Sequence, residues 1–298
     1  MRGRLFLVPN LLGLVPPEDV LPARTIAATR RLAHFVVETA KPARQFLKSL
    51  APALPLQEIA VAEIGERPDA ERCAELLSPT RAGHDLGLLS DAGCPGVADP
   101  GALVVAAAHR DGVTVVPLVG PSSILLALMA SGMNGQAFAF HGYLPVKPEA
   151  RAEAIRRIDA ESQRTGYAQL FIETPYRNAA LLQSLVAACK PATRLCVAAD
   201  LTLPTETVKT RTIREWRGAD FTRYAKRPAM YVLQAGTVAS TEPASKSRRA
   251  GREREGPQRG PRQYTRVRRG PSEDTTKLSG CAAYFETGSR PWYRRCSS

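Results

Sequence analysis

The stretch Ser90–Gly101, Ser-Asp-Ala-Gly-Cys-Pro-Gly-Val-Ala-Asp-Pro-Gly, limits what this chain can fold into more than any other. It follows the short apolar run Leu86–Leu89 and leads into Ala102–Arg110, an Ala-rich segment with helical spacing. Three glycines, two prolines and two aspartates in twelve residues cannot pack as a helix or a strand. Glycine tolerates positive φ and close backbone approach, whereas proline fixes φ and removes a donor. The stretch therefore reads as a rigid, backbone-exposing loop at the carboxyl end of a strand, where open α/β sheets place their ligands. Turn chemistry alone also produces such loops.

Around it the chain alternates strand-like and helix-like segments. Leu5–Val8, Phe35–Glu38, Leu86–Leu89 and Val113–Leu118 read as strands, and Pro9–Pro17 as an irregular loop. Ala23–Ala33, Ala43–Ala51, Ala70–Leu77 and Ala102–Arg110 carry helical spacing. Such alternation argues for a parallel or mixed α/β sheet. A second glycine-proline junction follows at Val119-Gly120-Pro121-Ser122-Ser123, where Ser122 and Ser123 are N-cap candidates for the apolar run Ile124–Ala130. The amides of such a junction suit a polar ligand, and a plain capped helix fits as well.

Beyond a turn at Met133–Gly135 the pattern becomes richer in strands: Phe138–Tyr143, Ala168–Ile172, Arg194–Ala198 and Met230–Gln234. Pro148–Arg164 and Asn178–Cys189 read as helices, and Thr207–Thr212 as a hairpin arm exposed on one face. We expect two α/β domains, 1–117 and 118–236, followed by a disordered basic tail, 237–298. The formal net charge is +13; residues 241–298 carry 14 Lys/Arg against 6 Asp/Glu, leaving +5 for residues 1–240. The tail lacks apolar periodicity and is expected to be dispensable for folding and activity.

Several chemistries are disfavoured. The six cysteines form no Cys-x-x-Cys pair and the four histidines show no metal-ligand spacing, so no metal site is expected. No run approaches the ~18–20 apolar residues of a membrane span. The opening residues hold too short an apolar run for a signal peptide, which points to a cytoplasmic protein with no membrane partner. Val8-Pro-Asn-Leu-Leu-Gly stands where a dinucleotide fingerprint would, and there is no Walker A sequence or nucleophile elbow.

What remains resembles one superfamily, the class III S-adenosylmethionine-dependent methyltransferases with the tetrapyrrole-methylase fold. Within it the chain is most similar to the bacterial 16S ribosomal RNA cytidine-2′-O-methyltransferases. The matching residues are Leu5-Phe-Leu-Val-Pro, Ser90-Asp-Ala-Gly-Cys-Pro with Asp99-Pro-Gly, Val115-Val-Pro-Leu-Val-Gly-Pro, Phe140-His-Gly-Tyr-Leu-Pro and Phe171-Ile-Glu-Thr-Pro-Tyr-Arg. Asp200-Leu-Thr, Glu206, Lys226-Arg and Met230-Tyr-Val extend the match, which covers about residues 4–236.

The resemblance implies two α/β domains with S-adenosylmethionine in the cleft between them, a homodimer, and ribosomal RNA or the small ribosomal subunit as partner. It places Asp91, Gly93 and Cys94 in the cofactor loop with Ser122 and Ser123, and has Pro9, Glu173 and Ala229 close the pocket. Asp91 also fits the plainer role of a turn residue. Glu38, Lys41 and Arg44 are the candidate catalytic residues. They lie where the RNA enzymes carry Glu-Asp-Thr-Arg, here with Thr39 in place of Asp and Lys41 in place of Arg. A solvated helix face fits these three equally. Two other readings stand beside the RNA methyltransferase: a methylase of a tetrapyrrole or other small molecule, and a non-catalytic RNA-binding protein.

Overall fold

Leu86, Leu88 and Leu89 have almost no exposed surface, and every residue of Leu86–Leu89 is buried. An unbroken apolar run of four suits a central strand covered on both faces, as parallel sheets are. The computed structural model, which describes residues 2–65 and 67–236, places it there. The expectations about residues 237–298 lie outside the described residues.

The first sheet contains β1 (Leu5–Val8), β2 (His34–Val37), β3 (Ala60–Glu63), β4 (Leu86–Leu89) and β5 (Val115–Pro117) in the order β3-β2-β4-β1-β5. All its pairings are parallel. Successive side chains point to opposite faces, so each strand feeds two cores. Leu5, Val36, Leu86 and Leu88 pack with Leu76, Val104 and Ala107 on one side. Phe6, Val8, Phe35, Val37 and Leu89 pack with Leu32, Phe46 and Leu47 on the other. Each fully buried leucine contributes about 1.5–3 kcal/mol.

The second sheet is mixed: β6 (Phe138–Tyr143), β7 (Ala168–Glu173), β8 (Arg194–Ala199), β9 (Thr207–Thr212) and β10 (Ala229–Gln234), in the order β6-β7-β10-β8-β9. Only β6 and β7 run parallel; the other neighbours are antiparallel. The helices Pro148–Thr165 and Asn178–Ala188 cover one face, where Phe171, Tyr231, Trp216 and Tyr224 form the aromatic core. The helix Ser123–Ser131 supplies Ala127 and Leu128 to the other. The described residues belong to one compact unit containing both sheets.

Most expected elements are present with shifts of a few residues at their ends, and some differences matter. Phe35–Glu38 becomes His34–Val37, which leaves Glu38 just beyond the strand. The strand expected over Ala168–Ile172 runs on through Glu173, because Glu173 pairs with Ala229 in the ladder. β3 was not foreseen: Ala-Val-Ala-Glu is short and incompletely buried, as befits an edge strand. Pro17–Val20, assigned in part to the loop after β1, is a helical turn with Pro17 at its start.

Candidate functional site

The loops after β1, β4 and β5 converge because their strands are adjacent and parallel. In such sheets the carboxyl ends beside a reversal of strand order form a crevice. Here β4 follows β3 in the chain yet returns between β2 and β1.

Asn10, 4% exposed, organises the loop that follows β4. Its side-chain amide donates to the carbonyls of Ser90 (2.9 Å) and Asp91 (3.0 Å), and its backbone N–H donates to Gly93 O (2.8 Å). The Ser90 hydroxyl donates to Ala92 O. Gly93 has φ +70°, a conformation costly for other residues. Farther along, the Asp99 carboxylate accepts from the backbone N–H groups of Gly96 and Gly101. Burial raises its pKa, and these amide donors oppose the shift.

The strand-end loops also pack by close backbone approach. A Cβ on Gly120 would lie 2.3 Å from Pro9 Cγ, so only glycine lets the loop after β5 lie against the buried Pro9. Cys94 Sγ donates to Pro121 O at 3.5 Å, and burial pushes this thiol's pKa up. Cys94 is therefore a neutral packing group here. Ser122 sits at the N-cap position of Ser123–Ser131 but makes no side-chain cap hydrogen bond. The Leu126 N–H is instead taken by the Ser122 backbone carbonyl.

Asp91 is exposed at the mouth of this region. One carboxylate oxygen accepts from Thr39 Oγ1 at 2.9 Å, and the Asp91 N–H donates to Glu38 Oε2 at 3.2 Å. Glu38 and Asp91, 53 positions apart, thus share one polar cluster. Thr39, which departs from the acidic residue of the RNA enzymes, joins it as a donor. The helix Ala40–Ser49 begins immediately afterwards, with Glu63 at the end of β3 accepting from the Ala40 N–H at 2.7 Å. Lys41 is exposed on its first turn; Arg44 is exposed and reaches the Leu56 carbonyl at 3.4 Å. Only Glu38 of the three catalytic candidates meets Asp91.

The second sheet contributes Glu173, Arg177 and Tyr143. Glu173 is buried, and its Oε1 accepts from the Thr174 N–H (2.7 Å) and from Arg177 Nε (2.8 Å). Arg177 Nη2 lies 2.5 Å from the same oxygen. Ala229, paired with Glu173, is buried beside it. Burial chiefly, then the carboxylates of Glu173 and Glu38, raises the pKa of Tyr143. Tyr143 therefore sits within electrostatic reach of acids from both sheets. A second junction involves Gly13, where a Cβ would lie 2.5 Å from Leu203 Cδ2.

Asn10, Tyr143 and Glu63 were not singled out from the sequence. The only cue to Asn10 was its place immediately after the first strand, and Tyr143 lay inside a matched segment. Glu63 gave no signal.

This arrangement suits a ligand rich in donors and bearing positive charge. Glu173 Oε2 is a buried oxygen without a hydrogen-bond partner among the described residues. A buried acceptor left unpaired costs about 1–3 kcal/mol, which a ligand N–H or O–H would relieve. The exposed Asp91 carboxylate adds a second acceptor. Among the described residues no group of three or more His, Cys, Asp or Glu could hold a metal ion, and no helix is long and apolar enough to cross a membrane.

Comparison with known proteins identifies the family and the fold. The family profile described as Tetrapyrrole (Corrin/Porphyrin) Methylases matches residues 18–216. The chain is 33% identical over 171 residues to "Ribosomal RNA small subunit methyltransferase I" of Vibrio cholerae, covering 56% of this chain and 57% of that protein. The protein of the same name from Mesorhizobium japonicum is 37% identical over 143 residues, covering 47% and 46%. The one from Pseudomonas aeruginosa is 27% identical over 237 residues, covering 78% and 79%. The chain spans about half the length of the first curated relatives it matches. Among solved structures, the methyltransferase CobJ superposes with a TM-score of 0.54 at 18% identity, covering 78% of this chain and 94% of that one. A conserved hypothetical protein of Aeropyrum pernix K1 gives 0.54 at 18%, covering 79% and 85%. These two establish a shared fold. With two thirds of its length matched by the profile, the chain belongs to the tetrapyrrole (corrin/porphyrin) methylase family.

Proposed function

We propose that this chain is an S-adenosylmethionine-dependent methyltransferase that 2′-O-methylates a cytidine of small-subunit ribosomal RNA. The observation that carries this reading is the cluster joining Glu38, Thr39 and Asp91 at the carboxyl ends of the parallel strands, together with the unpartnered Glu173 Oε2, Glu38 and Glu173 both lying within electrostatic reach of Tyr143. The relatives named as ribosomal RNA small subunit methyltransferases support the substrate. We take the cleft to lie between domains 1–117 and 118–236.

When bound, S-adenosylmethionine supplies an electrophilic methyl group on a sulfonium. Asp91 and Glu173 would accept hydrogen bonds from its polar ends. The backbone around Gly93 and Cys94, the Ser122–Ser123 junction, Pro9 and Ala229 form the wall. Glu38 is the acceptor for the ribose hydroxyl proton, while exposed Lys41 and Arg44 offer charge to RNA phosphates. Holding the ribose hydroxyl in a reactive position would supply up to ~7–11 kcal/mol of such a barrier. A general base adds ~10²–10⁴-fold. Positioning is therefore the larger effect, and the tight loop packing around Asn10 and Gly120 serves it.

Purified protein with methyl-labelled S-adenosylmethionine is expected to label small-subunit RNA or the small subunit and not a uroporphyrinoid. The reverse result establishes the small-molecule reading instead.

A ribosomal-RNA substrate implies a cytoplasmic enzyme. We also infer a homodimer, supported by apolar side chains left in water: Val119 is 71%, Leu125 56% and Met129 78% exposed. Leu125 and Met129 lie four residues apart, on one face of their helix. Light scattering should give twice the chain mass for the wild type and a single chain for Met129→Asp. A wild-type monomer would remove the dimer.

A further inference from the structure

We propose that the concavity lined by Lys209, Arg211 and Arg223, on the outer strand of the second sheet, binds a phosphodiester of the RNA substrate apart from the methyl-transfer cleft. The inference rests on the RNA reading above and adds a second contact to it.

The concavity has a volume of about 390 Å³; Trp216, Ala219 and Asp220 complete its wall. Lys209 and Arg211 are alternate residues of β9, so they share one face of the strand. Their ladder partners Val197 and Leu195 belong to the same core as Trp216. Arg223 arrives from a separate helical turn, Thr222–Tyr224. Three cations from two elements thus meet around one hollow.

The aromatic floor orients one of them. Trp216 Nε1 donates to Leu195 O at 2.9 Å, which fixes the indole, and the Arg211 guanidinium lies 5.5 Å from the ring centroid. A guanidinium stacked this way keeps its donors at the edge, where a phosphate can take them.

None of the three cations belongs to an ion pair among the described residues. The nearby acids have local work. The Asp220 carboxylate accepts from the Thr222 N–H (2.9 Å) and hydroxyl (2.6 Å), although Arg223 lies within its electrostatic reach. Glu215 accepts from the Thr212 N–H and hydroxyl in a capping box.

The charge is also concentrated here. Residues 207–227 hold seven Lys/Arg against two Asp/Glu, a net of +5, equal to the net charge of residues 1–240. Charges on an outer strand also discourage edge-to-edge pairing. That explains Lys209 and Arg211 but not Arg223, nor the concave shape. β9 is three strands from β7, roughly 14 Å at ordinary strand spacing, so one RNA segment can reach both places.

The test measures affinity of the full chain for small-subunit RNA between low and moderate salt, with the double variant Lys209→Ala/Arg223→Ala. We expect roughly tenfold weaker binding and a salt slope reduced by about 0.7–0.9, the contribution of the one phosphate the concavity holds. KM for RNA rises, while kcat and S-adenosylmethionine affinity stay at wild-type values; the cofactor titration also reports folding. Lys209→Gln/Arg223→Gln repeats the test in a second sequence context. Arg157→Ala, which removes an exposed charge from the helix Pro148–Thr165, is expected to leave the slope unchanged. Wild-type affinity and slope in both double variants, with an active wild type, overturn the pocket alone. A wild type that neither binds nor methylates small-subunit RNA overturns both this inference and the RNA reading.

Discussion

Replacing Asp91 by alanine is expected to weaken S-adenosylmethionine binding by about ten- to a hundredfold, the loss of a charged hydrogen bond of ~1.5–3 kcal/mol. The fold should be little affected, because the carboxylate is exposed and, among the described residues, takes one side-chain donor, Thr39. This separates two roles for the residue. If Asp91 only holds its loop, Thr39→Val removes the same bond and reproduces the whole loss. If Asp91 also meets the cofactor, Thr39→Val costs a few-fold at most. Isothermal calorimetry on Asp91→Ala, Asp91→Asn and Thr39→Val decides between them, and unchanged affinity in a folded Asp91→Ala removes Asp91 from the site.

Asn10→Ala should damage stability and binding together. It strips the donors from the carbonyls of Ser90 and Asp91 and the acceptor from the Leu11 N–H. Buried groups left in this state cost roughly 2–4 kcal/mol in total. For a unit of this size that lowers Tm by about 5–15 °C. Cofactor affinity falls as well, since Asp91 and Gly93 lose the anchor that sets their positions. Asn10→Asp keeps the shape but not the donors and is expected to fail in the same way. A wild-type Tm for Asn10→Asp, read by calorimetry or circular dichroism, would show that the amide does not organise the loop.

These two variants also mark what could be read from the sequence. The Ser90–Gly101 loop and the strand before it were legible because their constraints are local: glycine and proline chemistry following a fully apolar run. The two sheets were legible from alternating periodicity, and most of the candidate pocket came from the family resemblance. Asn10 was not legible as an anchor, because its partners lie 80 and 81 positions away and exist only once β1 and β4 are neighbours. Tyr143 likewise gains its acidic surroundings from β7 and from Glu38, just past a strand of the other sheet. β3 escaped because an edge strand needs no continuous apolar run, and with it went Glu63, whose carboxylate receives the Ala40 N–H. Lys41 and Arg44 show the converse limit. A motif brought Glu38, Lys41 and Arg44 forward as a set, but a helix start turns its residues in different directions, and only the first of them reaches Asp91.

Ribose-methylation mapping of small-subunit ribosomal RNA, from cells with and without the gene, tests the central claim most directly. The account predicts that one cytidine loses its 2′-O-methyl group when the gene is absent. Wild-type protein should restore it fully, and Asp91→Ala produced at the same level should restore less. A map identical in both cells contradicts the account, as does full restoration of the lost methyl group by Asp91→Ala at the wild-type level of protein.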